Sequence, residues 1–361
     1  MSATLSSHLQ EAIQHALAHE VAWPRDPAAD LARWGVHHDD PPPYNRLRGP
    51  VHARGGVSGV VLQHGQEIAA WGEPDRADLT FSVAKSYLAM LAGVAHGQGL
   101  LPDADEPVVA RLPGIGFDSE HNRAVTWRHL LEQTSEWEGS NFGLPDTVER
   151  WRKVAQDPRP VDAGTDGPKG GARPLRAPGT YWEYNDVRIN QLSLALMHLF
   201  GAPLPEVFAA ELMRPLAASD GWAWRGYDDA WTDLRGQRVQ SVPGGTHWGG
   251  GVSISARDQA RLGQLLLSEG RHGGQQLIPA AWVQRMRQPG AVAPFYGWLM
   301  WLNASGQTFP GASPQASVMA GAGGHYIWIE PEHDAVVVVR WIDGGGLEGF
   351  MRLASSALAA T

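Results

Sequence analysis

Cysteine is absent from this sequence of 361 residues. Disulfides, thiolate metal sites and cysteine nucleophiles are therefore excluded. The sequence also has no run of about 18 apolar residues, and residues 1–12 lack the basic segment and apolar stretch of an export signal. We therefore expect a protein that stays in the cytoplasm.

Positive charge is scarce as well. The formal net charge is −9, and no basic stripe appears of the kind that nucleic acids or anionic membranes bind. We expect neither partner. Lysine is the rarest cation, since Lys85, Lys153 and Lys169 are the only three and every other basic side chain is arginine or histidine.

The apolar pattern predicts a sheet built from both ends of the chain. Short apolar runs at 57–61 and 67–71 flank a glycine turn and predict one hairpin, and runs at 325–329 and 335–342 predict a second. Helical spacing of apolar residues predicts a helix at the N-terminus and another over about 347–360.

The middle of the chain has a mostly helical pattern. We predict an α/β chain of the α+β type, in which an antiparallel sheet is flanked by terminal helices and carries an inserted helical lobe. Residues 1–80 and 240–361 form the sheet lobe of this single domain, and 81–239 form the helical lobe. Helical patterns occur near 84–97, 127–133, 187–200 and 205–213, with a Gly/Pro/Arg-rich loop over about 157–179.

Ser82 and Lys85 form an S-x-x-K motif at the start of a strongly apolar helix. Residues three apart share a helix face, so the amine can lie beside the hydroxyl and assist its attack on an ester or amide. The positive end of the helix dipole favours an oxyanion at the same place. The alternative is a lysine that extends to water and has no catalytic role.

Four further segments complete a pattern. They read VTWRHLLEQTS at 125–135, PGTYWEYND at 178–186, GGGVSISARD at 249–258 and GAGGHY at 321–326. With the S-x-x-K motif they resemble the serine β-lactamase and penicillin-binding-protein superfamily, most closely its class C-like esterase and 6-aminohexanoate-dimer hydrolase branch. The resemblance covers roughly residues 50–345. It implies a β-lactamase/transpeptidase-like fold and a serine hydrolase that forms an acyl-enzyme at Ser82.

Tyr184 lies where the family has its second motif, Y-x-N. The resemblance implies a catalytic role, and a phenol near an ammonium can pass a proton between serine and leaving group. The alternative is a tyrosine that packs at a helix start. Asp186 replaces the usual asparagine, and we expect it either to pair with Lys85 or to receive a cationic group of the substrate.

The third motif departs further from the family. Residues 317–321 contain neither the lysine of K-T-G nor the histidine of H-x-G, which disfavours recognition of a β-lactam carboxylate. The run Gly321, Ala322, Gly323 and Gly324 allows a backbone N–H to approach an oxyanion, with the Ser82 N–H as second donor. The alternative is a strand whose glycines only permit close packing.

Other candidates are side chains near these segments. Trp137 and Trp182, two of 16 tryptophans, are predicted to line an apolar cleft, and His247 and Glu136 to contact substrate. The alternative for the tryptophans is that most of them belong to the core. Residues 37–40, HHDD, offer metal-binding types, but adjacent residues point in different directions. We therefore expect no metal and no cofactor.

The predicted partner is a small ester or amide, such as a linear ω-amino-acid amide. Motifs of other hydrolases and nucleotide-binding proteins are absent from the sequence: G-x-S-x-G, Walker A, H-E-x-x-H and the class A string S-D-N. Two alternatives stay open. The chain is a ligand-binding sensor on the same fold, or a weak β-lactamase or DD-peptidase-like enzyme.

Overall fold

The computed structural model describes residues 7–160 and 167–360, so 161–166 of the predicted loop lie outside the described residues. Its α-helices are α1 (Ser7–Ala18), α2 (Val83–Gly97), α3 (Val108–Arg111), α4 (Trp127–Leu131), α5 (Asp186–Phe200), α6 (Leu204–Phe208), α7 (Ala256–Leu267), α8 (Ala280–Met286) and α9 (Gly344–Ala359). A π-helical turn, Ala209–Met213, continues α6.

The strands of the first two thirds of the chain are β1 (Ser58–Gln63), β2 (Gln66–Trp71), β3 (Asp78–Leu79), β4 (Ser140–Asn141), β5 (Leu144–Pro145), β6 (Ala223–Arg225), β7 (Trp231–Leu234) and β8 (Gln237–Gln240). Those of the last third are β9 (Gly251–Ile254), β10 (Arg271–His272), β11 (Gln275–Gln276), β12 (Trp301–Leu302), β13 (Ser317–Gly321), β14 (His325–Glu330) and β15 (Ala335–Arg340).

Both ends of the chain build the main sheet. Its order is β12-β13-β14-β15-β1-β2 with antiparallel neighbours, and β1 pairs with β15 so that Val60 faces Val338. All six residues of β15 are buried, which is the pattern of a strand covered on both faces. Helix α7 packs on β1, β14 and β15, and α1 packs against α9.

The predicted fold class is confirmed, and both hairpins and the two terminal helices form. The C-terminal helix begins at Gly344, about three residues before the apolar pattern, because the Asp343 side chain accepts a hydrogen bond from the Gly345 N–H at 2.8 Å and caps it. Strand β3, which ends shortly before Ser82 in the chain, is an edge strand of a small sheet with the order β3-β9-β6.

Within the described residues no single helix is long and apolar enough to cross a membrane. The bent pair Asp186–Phe200 and Leu204–Met213 meets the length and composition criteria together, with a bend of 73° between the helices. Buried core helices meet the same criteria, and most of α5 is buried in this core.

Candidate active site

Ser82 is the N-cap residue of α2 and directly follows a strained residue. Phe81 has a φ of +51°, which is unfavourable for a bulky side chain. Its ring is held by Trp23 and Trp34, with centroids 5.5 and 5.7 Å away, and the preceding Thr80 N–H donates to Val252 O of β9 at 2.8 Å. Aromatic packing and the β9 edge thus fix the turn that presents the serine.

Lys85 lies one helical turn after Ser82 and touches it. Its Nζ donates to Ser82 Oγ at 2.7 Å and also lies 2.7 Å from Asp186 Oδ1. The ammonium is 4.5 Å from the centroid of the Tyr184 ring, over its face. Because the lysine side chain is only 1% exposed, it does not extend to water, so the non-catalytic alternative from the sequence does not describe it.

Asp186 is the first residue of α5. Hydrogen bonds between side chains and nearby backbone N–H groups fix its position. The Asn185 side chain caps this helix by accepting from Arg188 N, while Asn185 N donates to Gln133 Oε1 at 2.8 Å. Of the two roles expected for Asp186, the ion pair with Lys85 is the one that forms.

Asp186 is also ion-paired to Arg152, whose Nη1 lies 2.9 Å from Oδ1. Burial by itself would raise the pKa of the Asp186 carboxyl, but Arg152 and Lys85 outweigh it and hold that pKa below its usual value. The aspartate is therefore an anion near neutral pH.

Beyond Arg152 the ion pairs continue through buried groups. Arg152 bonds Glu149, and Glu149 Oε1 lies 3.1 Å from Lys169 Nζ. Burial opposes ionisation of Glu149, yet Arg152, Lys169 and His247 hold its pKa well below the usual range.

The sequence analysis did not identify Arg152, Glu149 or Lys169 as site residues. The rarity of lysine was an available signal, because Lys153 and Lys169 both line the cavity beside Ser82.

Asp40 is a further carboxylate of this network of ion pairs and lies beside Lys169 and His247. Lys169 Nζ lies 2.5 Å from Asp40 Oδ1, and His247 Nε2 lies 2.8 Å from Oδ2. Asp40, Glu149 and His247 bring ligand atoms within 4.8 Å of one another, a spacing that a metal ion could use. However, the Lys169 ammonium already lies against both carboxylates. The metal candidate at 37–40 contributes only Asp40 to this cluster.

A cavity of about 350 Å³ opens over Ser82. Tyr184, His247 and the backbone of 320–324 line it. Strand β13 comes very close to the serine, because a Cβ on Gly321 would lie 2.2 Å from Thr80 O. Gly323 and Gly324 have φ values of +75° and +77°. Close packing therefore accounts for these glycines, and the oxyanion role of this segment stays a prediction.

Three predicted cleft residues lie elsewhere. Trp137 is 2% exposed and donates through Nε1 to Gly116 O at 2.7 Å. Trp182 is 1% exposed and packs edge-on against Phe295 and Tyr296. Neither lines the cavity, so this prediction was wrong: both rings fill the core. Glu136 is bound by Arg173 and Arg188 and has no place in the cavity either.

Glu136 should instead be a stability residue. Burial opposes ionisation, but Arg173 and Arg188 lower its pKa from 4.5 to about 2. A carboxyl whose pKa falls on folding stabilises the protein above its unfolded pKa, and this stabilisation is lost as the pH falls through the folded pKa. Glu136→Gln should therefore reduce the free energy of unfolding by about 3 kcal/mol near neutral pH.

Denaturant unfolding as a function of pH checks this prediction. The difference between wild type and variant should shrink below a pH of about 4.5 and vanish near 2. Glu11→Gln, at an exposed glutamate of α1, is the matched control and should change little. A destabilisation of Glu136→Gln that is the same at every pH would contradict the assigned ion pairs.

Comparisons with known proteins agree with this fold. The family model described as Beta-lactamase matches residues 45–350. A search of the curated proteins found no match. Among solved structures, EstCE1, a hydrolase with promiscuous acyltransferase activity, is 17% identical with a TM-score of 0.61, covering 97% of this chain and 98% of its own.

Two more structures share the fold. A D-stereospecific amidohydrolase from Streptomyces sp. is 15% identical with a TM-score of 0.58, covering 98% of this chain and 99% of its own. A 6-aminohexanoate-dimer hydrolase homologue from Bacillus anthracis is 17% identical with a TM-score of 0.57, covering 84% and 78%. The resemblance read from the motifs is confirmed, and the chain belongs to the beta-lactamase family.

Proposed function

We propose that this protein is a serine hydrolase that cleaves a small ester or amide through an acyl-enzyme at Ser82. The observation that carries the proposal is the 2.7 Å hydrogen bond from Lys85 Nζ to Ser82 Oγ, made by a buried lysine that is itself tied to Asp186. A nucleophile in contact with a buried ionisable partner, at the edge of a cavity, is the arrangement that acyl transfer requires.

The proposed first step is attack by Ser82 Oγ on the carbonyl carbon. Lys85, kept charged by Asp186, orients the hydroxyl and offsets the negative charge that develops. Tyr184, as phenolate beside this ammonium, accepts the serine proton and returns it to the leaving oxygen or nitrogen. The N–H of Ser82 and one from 320–324 hold the oxyanion. Water then repeats the sequence on the acyl-enzyme and releases the acid.

The substrate proposed is a small ester or a linear amide, with β-lactams disfavoured. Strand β13 presents Ala320 and Gly321 to the cavity, so it brings neither the lysine nor the histidine of the usual third motif. A panel of p-nitrophenyl esters, linear amides and a cephalosporin tests this directly. Ester or amide turnover that is lost in Ser82→Ala supports the proposal. A protein that binds these compounds without cleaving any of them would instead be a ligand-binding sensor.

Asp186→Asn tests the part that Asp186 plays in the pH dependence of the reaction. Replacing the anion with a neutral amide removes the partner that stabilises the charged form of Lys85. The alkaline limb of the kcat/KM profile should therefore move to lower pH in this variant.

The matched control for that profile is Asp39→Asn, which removes an exposed carboxylate at the same cavity. Asp39 has no ion pair with Lys85, so the alkaline limb should stay in place. Superimposable profiles for Asp186→Asn and wild type would show that Asp186 does not contribute to the pH dependence of the reaction.

A further inference from the structure

A second cavity adjoins the one over Ser82. It has a volume of about 180 Å³ and lies between the N-terminal half of α9 and the loop before β13. Ala155, Gln156, Tyr326 and Gly344 line both cavities, so the two cavities meet along this wall. We name the second one the side cavity; its inner lining is Thr308, Phe309, Pro310, Leu347 and Met351.

The side cavity has an apolar lining and carries no net charge. Phe309 and Met351 are each 1% exposed, and Leu347 and Pro310 complete an aliphatic and aromatic surface. Its one charged group, Glu348, is paired to Arg352 at 2.6 Å on the solvent side of α9. An alkyl chain gains free energy on such a surface, whereas an ionised group would lose its hydration without a counter-ion.

Two polar features belong to the residues that line the side cavity. At the junction with the catalytic cavity, Gln156 Nε2 donates to Tyr326 OH across 3.3 Å, a long hydrogen bond. Thr308 also lines the side cavity, and its Oγ1 is buried without a hydrogen-bond partner among the described residues. A buried hydroxyl without a partner is unfavourable, and a ligand atom that bonds it would remove that penalty.

From these contacts we propose that the side cavity is a substrate subsite for a linear, uncharged alkyl chain on one side of the scissile bond. A carbonyl or hydroxyl toward the far end of that chain would bond Thr308. The inference rests on the proposed hydrolase function and deepens it: the preferred substrates are medium-chain esters or amides.

Chain-length series test the proposal. One series varies the acyl chain of p-nitrophenyl esters from acetate to octanoate, and the other varies the alcohol of alkyl acetates. Each methylene buried in the side cavity should raise kcat/KM by about fourfold until the cavity is filled. The series that shows the rise identifies whether the acyl chain or the leaving group occupies the subsite.

Leu347→Trp should fill the side cavity and lower the octanoate-to-acetate ratio by about tenfold or more, because several methylenes lose their contacts. Its matched control is Leu353→Trp, a half-buried leucine of the same helix that lines neither cavity and should keep the wild-type ratio. Thr308→Val should remove a preference of about fivefold for a 6-hydroxyhexanoate ester over the hexanoate ester.

The results of these experiments distinguish a failure of the proposed subsite from a failure of the proposed hydrolase function. Acetate cleavage with both series flat would overturn the subsite and leave the hydrolase standing. Equal changes of the ratio in Leu347→Trp and Leu353→Trp would overturn it as well. If no ester or amide is cleaved at all, the hydrolase proposal fails and the subsite fails with it.

Discussion

Lys85→Met should reduce hydrolysis by about two to four orders of magnitude, because it removes the ammonium that orients Ser82 and supports the acid–base role of Tyr184. The lysine ammonium is in contact with Ser82 Oγ, and methionine keeps the length of the lysine's aliphatic stem without the charged, donating group. Steady-state kcat/KM on a short p-nitrophenyl ester measures the effect. A loss of less than about threefold would mean that Lys85 has no part in the chemistry.

A folding defect could imitate that loss, because breaking a buried ion pair costs about 3–5 kcal/mol. Asp186 retains Arg152 at 2.9 Å, which should reduce the cost. The double variant Lys85→Met/Asp186→Asn removes both charges and should recover most of the unfolding free energy. The double variant should therefore be stable but inactive. Recovery of activity along with stability would assign Lys85 a purely structural role.

Gly321→Ala should have the second largest effect. The added Cβ would lie 2.2 Å from Thr80 O, a backbone atom two residues before the nucleophile, so β13 must move away from Ser82. Losing one oxyanion donor typically lowers kcat by about 10²–10³. Overpacking of this kind also destabilises by about 1–3 kcal/mol, which thermal unfolding measures.

Gly221→Ala is the control for this substitution. Its Cβ would find only Ser219 Oγ at 3.7 Å, an ordinary contact, so activity and stability should both stay at the wild-type level. If Gly321→Ala also leaves kcat unchanged while the structure accommodates the methyl group, the segment at 320–324 does not contribute to the oxyanion site.

Local patterns in the sequence predicted much of the site. Ser82 and Lys85 are three residues apart on one helix, so helical geometry alone brings them together. The pairing of Asp186 with Lys85 was also expected, because the family motif places that position near the lysine. Both hairpins follow from the alternation of apolar runs and turns.

The charge network could not be predicted in the same way. Asp40, Glu149 and His247 come from three separate segments, and only the folded chain brings them together around Lys169. Each of these buried charges is balanced by an opposite charge from a distant part of the sequence, so no short motif reveals the pairing. The prediction that Trp137 and Trp182 line the cleft was wrong for a different reason. Both residues are near a motif in the sequence, but this nearness does not fix the direction of a side chain, and both rings point into the core.

The measurement that tests the central claim most directly is covalent labelling with a fluorophosphonate, followed by mass spectrometry of the digested protein. The account predicts one phosphonyl adduct, on Ser82, which is absent in Ser82→Ala and forms far more slowly in Lys85→Met. An unlabelled wild-type protein, or an adduct on a different residue, would contradict the assignment of Ser82 as the nucleophile.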